Sequence, residues 1–476
     1  MADETYRTAR ELHEQLATRQ VSARELLDDH IRRHEDVHDA VNAVNAVVAT
    51  DIARAQTDAK KVDDARARGE QPGPLAGIPM TVKDGYDVTG MPATAGNPAF
   101  ADRQKDCTDA DLVATLRAAG AVIWGKTNVP LMLGDLQTYN SVYGTTNNPH
   151  DPTRTPGGSS GGAAAALASG ITPLELGSDI GGSLRHPANW CGVYALKPTW
   201  GTLSMRGHIP PPPGRYVEYD LGVAGPMART ADDLRMLYTA LHREPPQRRK
   251  DPRTARIALW LDGFPLSSDV RTGIENAADH LRKHGAHVEP ARLPFAADEL
   301  IENYLALLYP IIGAGLPNPV YDKLAKARDA HLNADAADLD PYGMTAMAVH
   351  STASYRDVAR AQARRQALKD TFAAWFESWD AILAPISAIP AMTHRQGGPL
   401  PERTIEVDDV DVAYTHLFDW VSLATDLHLP AVGGPVAQTS TGLPIGAQLI
   451  GGWHDEHFLI DLAEALEHET GGFRAP

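Results

Sequence analysis

Apolar residues recur near helical spacing through the start of the chain, where Leu12, Leu16, Val21, Leu26, Leu27 and Ile31 lie among charges. That pattern predicts an opening helical region over residues 4–35, with Ser22 placed to cap a second helix. Residues 37–69, with Asp and Ala throughout, predict a further exposed helix. From Pro72 the texture changes to glycine, proline and short apolar runs. LAGIPMTVKD at 75–84 predicts a loop leading into a short strand, LVATLRAAG at 112–120 a helix stopped by Gly120, and AVIWGKTN at 121–128 a strand. Between Thr155 and Pro198 a short Ala-rich helix is expected between two glycine-rich loops. Beyond Arg229 the spacing predicts a strand over 255–263, a helix over 270–285 ended by Gly285 and a strand over 286–293. An Arg-rich amphipathic helix over 354–379, a buried strand over 381–391 and a polar loop over 393–412 follow. A closing strand at 445–452 and a helix around 455–469 complete the pattern, which contains no internal repeat. Strand and helix alternation of this kind predicts an α/β fold, with a mixed, mostly central β-sheet covered by helices on both faces.

Composition narrows the class. The chain has 476 residues, 43% of them hydrophobic and 22% charged, which is ordinary globular usage and predicts a sizeable core. Lys+Arg 44 against Asp+Glu 61 gives a net charge of −17, which repels a phosphate backbone and an anionic membrane surface. No apolar run approaches the ~20 residues of a spanning helix. Neither nucleic acid nor membrane is therefore expected as a partner. Cys107 and Cys191 alone offer no disulfide framework or thiolate cluster, and the acidic N-terminus does not read as a secretory signal. A cytoplasmic protein is the expectation. Residues 243–253, REPPQRRKDPR, carry no core residues and read as a surface connector.

The chemistry concentrates in two serine loops, TPGGSSGG at 155–162 and GSDIGGS at 177–183, whose Ser159 and Ser183 lie 24 residues apart. A glycine-rich stretch can be a flexible linker, or a helix N-terminus that binds an anion. It also fits G-x-S-x-G, as Gly157, Ser159 and Gly161 or as Gly158, Ser160 and Gly162. A nucleophile elbow needs a preceding strand, however, and NNPHDPTRTP is broken by prolines. Lys83 ends the apolar run IPMTV, where burial would lower its pKa and leave neutral amine able to accept a proton. A serine hydroxyl needs such a base, and His150 and His186 have no obvious orienting partner beyond Asp151 and Asp179.

These pieces resemble the amidase signature hydrolases. The matching segments are GIPMTVKD at 77–84, GKTNVP at 125–130, YGTTNNPHDPTRTPGGSSGGAAAALASG at 143–170, LGSDIGGSLRHPANWCGVYALKPTWG at 176–201, GPMARTADDL at 225–234 and GLPIGAQLIG at 442–451. The resemblance implies one amidase domain over 1–476, with a signature core at 70–235 and the rest of the sheet and the pocket cover at 254–476. It implies a Ser–cisSer–Lys triad with Ser183 as nucleophile, Ser159 as bridging serine after a cis peptide and Lys83 as base, and neither metal nor cofactor. The successive N–H groups of Ile180, Gly181, Gly182 and Ser183 would then form an oxyanion hole. Leu133 and Gly134, in a stretch that aligns with the acyl pocket, are expected to touch substrate, and their apolar character suggests a neutral one. Ser178 stands where many relatives have Thr.

Other features carry less. His280, His284 and His287 could share a helix face for a metal, but Arg282 and Lys283 flank them and no carboxylate follows. HDEH at 454–457 is no better. PPPP at 210–213 reads as a rigid loop, ARAQARRQALK at 359–369 as a basic face paired with the chain's own carboxylates, and Cys191 as a packing residue. The expected activity is hydrolysis of neutral linear amides, aryl or aliphatic, or of carbamates, by a small-molecule enzyme whose self-association is left open. The rivals are a glutaminase-type subunit of an amidotransferase and a catalytically silent binding module.

Overall fold

The computed structural model describes residues 4–38, 44–70, 72–103, 108–209, 218–242, 250–332 and 339–476. Cys107, the prolines at 210–213 and residues 243–249 of the expected connector lie outside them. The strands are β1 (Val47–Thr50), β2 (Pro79–Lys83), β3 (Val122–Thr127), β4 (Tyr139–Asn140), β5 (Gly144–Thr145), β6 (Leu174–Asp179), β7 (Tyr194–Lys197) and β8 (Val223–Ala228). Then come β9 (Arg256–Leu259), β10 (His287–Pro290), β11 (Ala381–Pro385), β12 (Thr404–Val407), β13 (Val410–Ala413), β14 (Ala431–Gln438) and β15 (Pro444–Ile450).

Eleven of these strands form one sheet in the order β1-β3-β2-β6-β8-β7-β14-β15-β11-β9-β10. The sheet is mixed, as expected: β2 runs parallel to β3 and β6, whereas β6 through β11 pair antiparallel. It is flanked by helices. β2, β3, β6 and β8 are buried along their whole lengths, so none of them shows the alternation of a strand with one wet face.

Most expected elements stand within a few residues of their places. Ser22 accepts the Glu25 N–H at 3.1 Å and starts the helix Ala23–His38, and Gly120 and Gly285 follow their helices at φ 90° and 115°. Three expectations change. Residues 37–69 are not one helix, because β1 intervenes before the helix Ile52–Ala67. VVAT is an edge strand fixed by pairing with β3, a contact that local propensity does not encode. The loop at 393–412 contains the hairpin β12–β13, turned by Asp408 and Asp409 at φ 45° and 67°. β11 stops at Pro385, and residues 386–391 are mostly buried without joining a strand. Three helices at Ala297–Ala314, Asn318–Leu332 and Met344–Ser351 occupy a stretch whose pattern predicted nothing. Among the described residues no helix is long and apolar enough to cross a membrane.

The helix Gly161–Ala168 is buried throughout, which its Gly and Ala content permits. A Cβ on Gly162 would lie 2.4 Å from Asn128 N and 2.6 Å from Asn128 O, both backbone atoms. Gly162→Ala should therefore destabilise the fold. The helix-propensity gain of about 1 kcal/mol is outweighed by an overpacking cost of about 1–3 kcal/mol. A lowered denaturant midpoint is the expected readout.

Candidate active site

Lys83 is the last residue of β2, the third strand from one edge of the sheet, and is wholly buried. Its Nζ lies 2.7 Å from Ser159 Oγ, 2.8 Å from Ser160 Oγ, 2.9 Å from Ser178 Oγ and 3.3 Å from Ser178 O. Among the described residues it forms no ion pair. Loss of water disfavours the ammonium and pushes Lys83 down to about 7, against the pull of Asp179 and Glu175. A substantial share of neutral amine follows at neutral pH. Glu175 sits on β6 opposite Thr81, on the same sheet face as Lys83. Burial pushes its carboxyl up to about 8, although the Thr127 hydroxyl and the Leu176 N–H each donate to it at 2.6 Å.

The first serine loop reaches Lys83 because it is almost bare of side chains. The Gly158–Ser159 peptide is cis, as the resemblance implies. A Cβ on Gly158 would meet Asp135 O at 2.6 Å and Gln137 N at 2.7 Å, so only glycine fits between this loop and residues 135–137. Ser159 and Ser160 approach the lysine equally closely, and their other partners separate them. The Ser160 N–H donates to Ser183 O at 3.1 Å, and its hydroxyl also lies 3.3 Å from Ser178 O. Among the described residues the Ser159 hydroxyl has Lys83 alone.

The second loop wraps around a carboxylate. Asp179, at the end of β6, accepts Arg185 Nη2 at 3.0 Å and Nε at 3.1 Å, the Gly182 N–H at 2.9 Å and the Leu184 N–H at 3.1 Å. Burial alone would raise this carboxyl, but the adjacent guanidinium holds it far below the usual range. The Gly182 N–H is thus committed to Asp179, which removes it from the four expected oxyanion donors. The N–H groups of Ile180, Gly181 and Ser183 find no acceptor among the described residues. Ser183 is 5% exposed, and its Oγ makes no hydrogen bond there.

The surroundings of the loop are apolar. Ile180 packs against a cluster that includes Leu136, Leu221, Ile301, Tyr304 and Phe418, and the Tyr304 hydroxyl donates to Ile180 O at 2.8 Å. Leu133 is half-buried and reaches within contact of Gly85, beside Lys83, whereas Gly134 is exposed. Nothing in the spacing of Tyr304 pointed to the site. The same holds for His208, whose Nε2 lies 2.8 Å from Ser178 Oγ. Ser160 stood next to the expected bridging serine, so its contact with Lys83 needed only the loop's true path.

The histidines near the loops face backbone carbonyls: His150 Nε2 meets Cys191 O at 3.1 Å and His186 Nε2 meets Leu417 O at 2.8 Å. Neither is oriented toward a serine by a carboxylate. Cys191 is buried, and burial pushes its thiol up. His287 opens β10, off the helix that carries His280 and His284, and among the described residues no cluster of metal-ligating side chains exists. Arg365, on the Arg-rich helix Tyr355–Phe376, pairs with Asp220 at 2.9 Å. Arg185→Leu should lower stability by about 3–5 kcal/mol, because it strands Asp179 as an unpaired buried charge. Chemical denaturation of the variant reads this directly.

The family model described as Amidase matches residues 25–460. A glutamyl-tRNA(Gln) amidotransferase subunit from Cupriavidus necator is 31% identical, over 97% of this chain and 96% of that one. A solved amidase is 27% identical at a TM-score of 0.78, covering 98% of this chain and 100% of its own. A structure reported for a vestigial protein complex bearing on the origins of an s-triazine catabolic enzyme is 28% identical at a TM-score of 0.79, over 99% and 100% of the two chains. The chain belongs to the amidase signature family of hydrolases acting on carbon–nitrogen bonds.

Proposed function

We propose that the protein hydrolyses neutral linear amides, or the chemically close carbamates, through an acyl-enzyme on Ser183. The observation that carries this reading is the 2.7 Å contact between the Ser159 hydroxyl and a buried Lys83 that forms no ion pair among the described residues. Neutral Lys83 takes the Ser159 proton, Ser159 takes that of Ser183, and the Ser183 oxygen attacks the acyl carbon. The Ile180, Gly181 and Ser183 N–H groups receive the developing oxyanion, the returning proton leaves with the amine, and water cleaves the ester. The hydrogen bond between Ser159 and Ser183 forms in the reactive complex, where such contacts commonly tighten. The apolar cluster around Ile180 supports an uncharged acyl group, since a charged one would lose its hydration there without a partner. A single sheet that draws strands from both sides of residues 243–253 supports reading 1–476 as one domain.

A second reading, a glutaminase-type subunit working with partner subunits, is favoured by the 31% identity to a glutamyl-tRNA(Gln) amidotransferase subunit over nearly the whole chain. Amine release from an aryl acetamide, an aryl carbamate, a primary aliphatic amide and glutamine separates the two. Release from a neutral substrate, lost in Ser183→Ala, is the expected outcome. Release from glutamine alone would establish the second reading, and release unchanged in Ser183→Ala would remove the nucleophile assignment.

The pH dependence has a definite sign. The base works only as neutral amine, so the rate should rise with pH through a midpoint near that of Lys83, about 7. Free lysine would place that rise near ~10.4. A pH–rate profile that is flat from pH 5 to 9 would remove Lys83 from the base role, and Lys83→Ala should lose acylation far more than binding.

A further inference from the structure

Hydroxyl protons around Lys83 can point in only a few consistent ways. A neutral amine has two N–H donors and one lone pair, and to act on Ser159 the lone pair must face the Ser159 hydroxyl. Both N–H groups must then find acceptors among Ser160 Oγ at 2.8 Å, Ser178 Oγ at 2.9 Å and Ser178 O at 3.3 Å. Ser160 can direct its own proton to Ser178 O, which lies 3.3 Å away, and so accept from the lysine. Ser178 Oγ can accept only if its proton goes elsewhere than to the lysine lone pair. Among the described residues the other side-chain group within reach of that hydroxyl is His208 Nε2, at 2.8 Å.

His208 is held there firmly. Residues 207–209 lie antiparallel against 85–87, with Asp87 N–H donating to Gly207 O at 2.8 Å and Ile209 N–H donating to Gly85 O at 2.7 Å. The imidazole packs over the bare backbone of Gly85, where a Cβ would come within 3.1 Å of Nε2, and meets the Tyr86 ring edge-on at 4.7 Å. His208 is 5% exposed, and burial together with the charge of Lys83 pushes it well below its ordinary value, so it is neutral. With Nε2 as the acceptor its one proton sits on Nδ1, which is buried and has no acceptor among the described residues. The titratable groups facing this assembly are Glu175 and Asp179 on β6, Tyr86 after β2, and Lys83 itself.

We propose that His208 is a positioning residue for the base: by accepting the Ser178 hydroxyl proton at Nε2, it makes Ser178 Oγ an acceptor for Lys83 and leaves the lysine lone pair for Ser159. The opposite tautomer would donate to Ser178 and turn its proton onto that lone pair, blocking the base. His208 touches no reacting atom and acts only through Ser178. This inference rests on the relay proposed above.

The rate at which a fluorophosphonate labels Ser183 reports nucleophile activation without any knowledge of the natural substrate. His208→Leu should slow labelling about tenfold, less than the ~10²–10⁴ of a general base because Lys83 itself remains. It should also move the midpoint of the labelling–pH curve. His208→Gln, which keeps an acceptor, should recover most of the rate. Ser178→Ala should lose as much as His208→Leu, and the double variant no more than either alone, since both act through one hydroxyl. Wild-type labelling in His208→Leu, or losses that add in the double variant, would overturn the role of His208. If His208→Leu does not fold, Ser178→Ala decides, and a wild-type rate there is equally fatal. Failure of the wild type to label at Ser183 would overturn the relay itself, and this inference with it.

Discussion

A lysine that forms no ion pair among the described residues, sealed into the end of an interior strand, dictates the arrangement around it. An ammonium in a dry interior is costly unless its hydrogens are satisfied, and here the partners come from one glycine-rich loop and the end of β6. Nearby buried cations are solved differently: Lys126 pairs with Asp84 at 2.6 Å and Arg185 with Asp179 at 3.0 Å. Those side chains are structural charges. Lys83 is instead given neutral partners, which tolerate loss of its proton. Lys197 sharpens the contrast, because it too is buried, and burial pushes it down to about 7. Its partners are the carbonyls of Leu429 at 2.8 Å and Pro198 at 3.1 Å, which accept hydrogen bonds but have no proton to give. Hydroxyl partners, and not burial alone, set Lys83 apart.

Periodicity recovered those elements whose burial is decided locally. The helix Tyr355–Phe376 carries its own capping box at Ser354 and Asp357, and β2 and β3 open on apolar residues and are buried throughout. It failed where pairing partners decide. VVAT gains its strand identity only from Lys126 and its neighbours on β3. The β12–β13 turn uses Asp408 and Asp409 in place of the Asn-Gly or Asp-Gly pair that usually announces a hairpin.

The site was legible to the extent that it lies in contiguous motifs. Lys83, Ser159 and the 180–183 loop sit in short segments of unusual composition, and the fold brings them together. What the sequence could not show is how each polar atom is spent. Gly182 looks like any other donor in a glycine run until Asp179 claims its N–H at 2.9 Å. Tyr304 and His208 join from positions 124 and 30 residues away from their partners, and no spacing rule connects them.

The loop at 180–183 is also tied to the far half of the chain. Arg185, which anchors Asp179, places Nη1 3.0 Å from both Val421 O and Gln448 Oε1, and Nη2 2.8 Å from Thr425 Oγ1. β7, which follows it, pairs with β14. Residues 70–235 hold the chemical groups, yet without residues 421–450 the guanidinium would keep Asp179 while losing its other acceptors, and β7 would become an open edge. The loop that presents Ser183 is therefore shaped by contacts made some 240 residues later in sequence, so the geometry of the site depends on completion of the whole sheet.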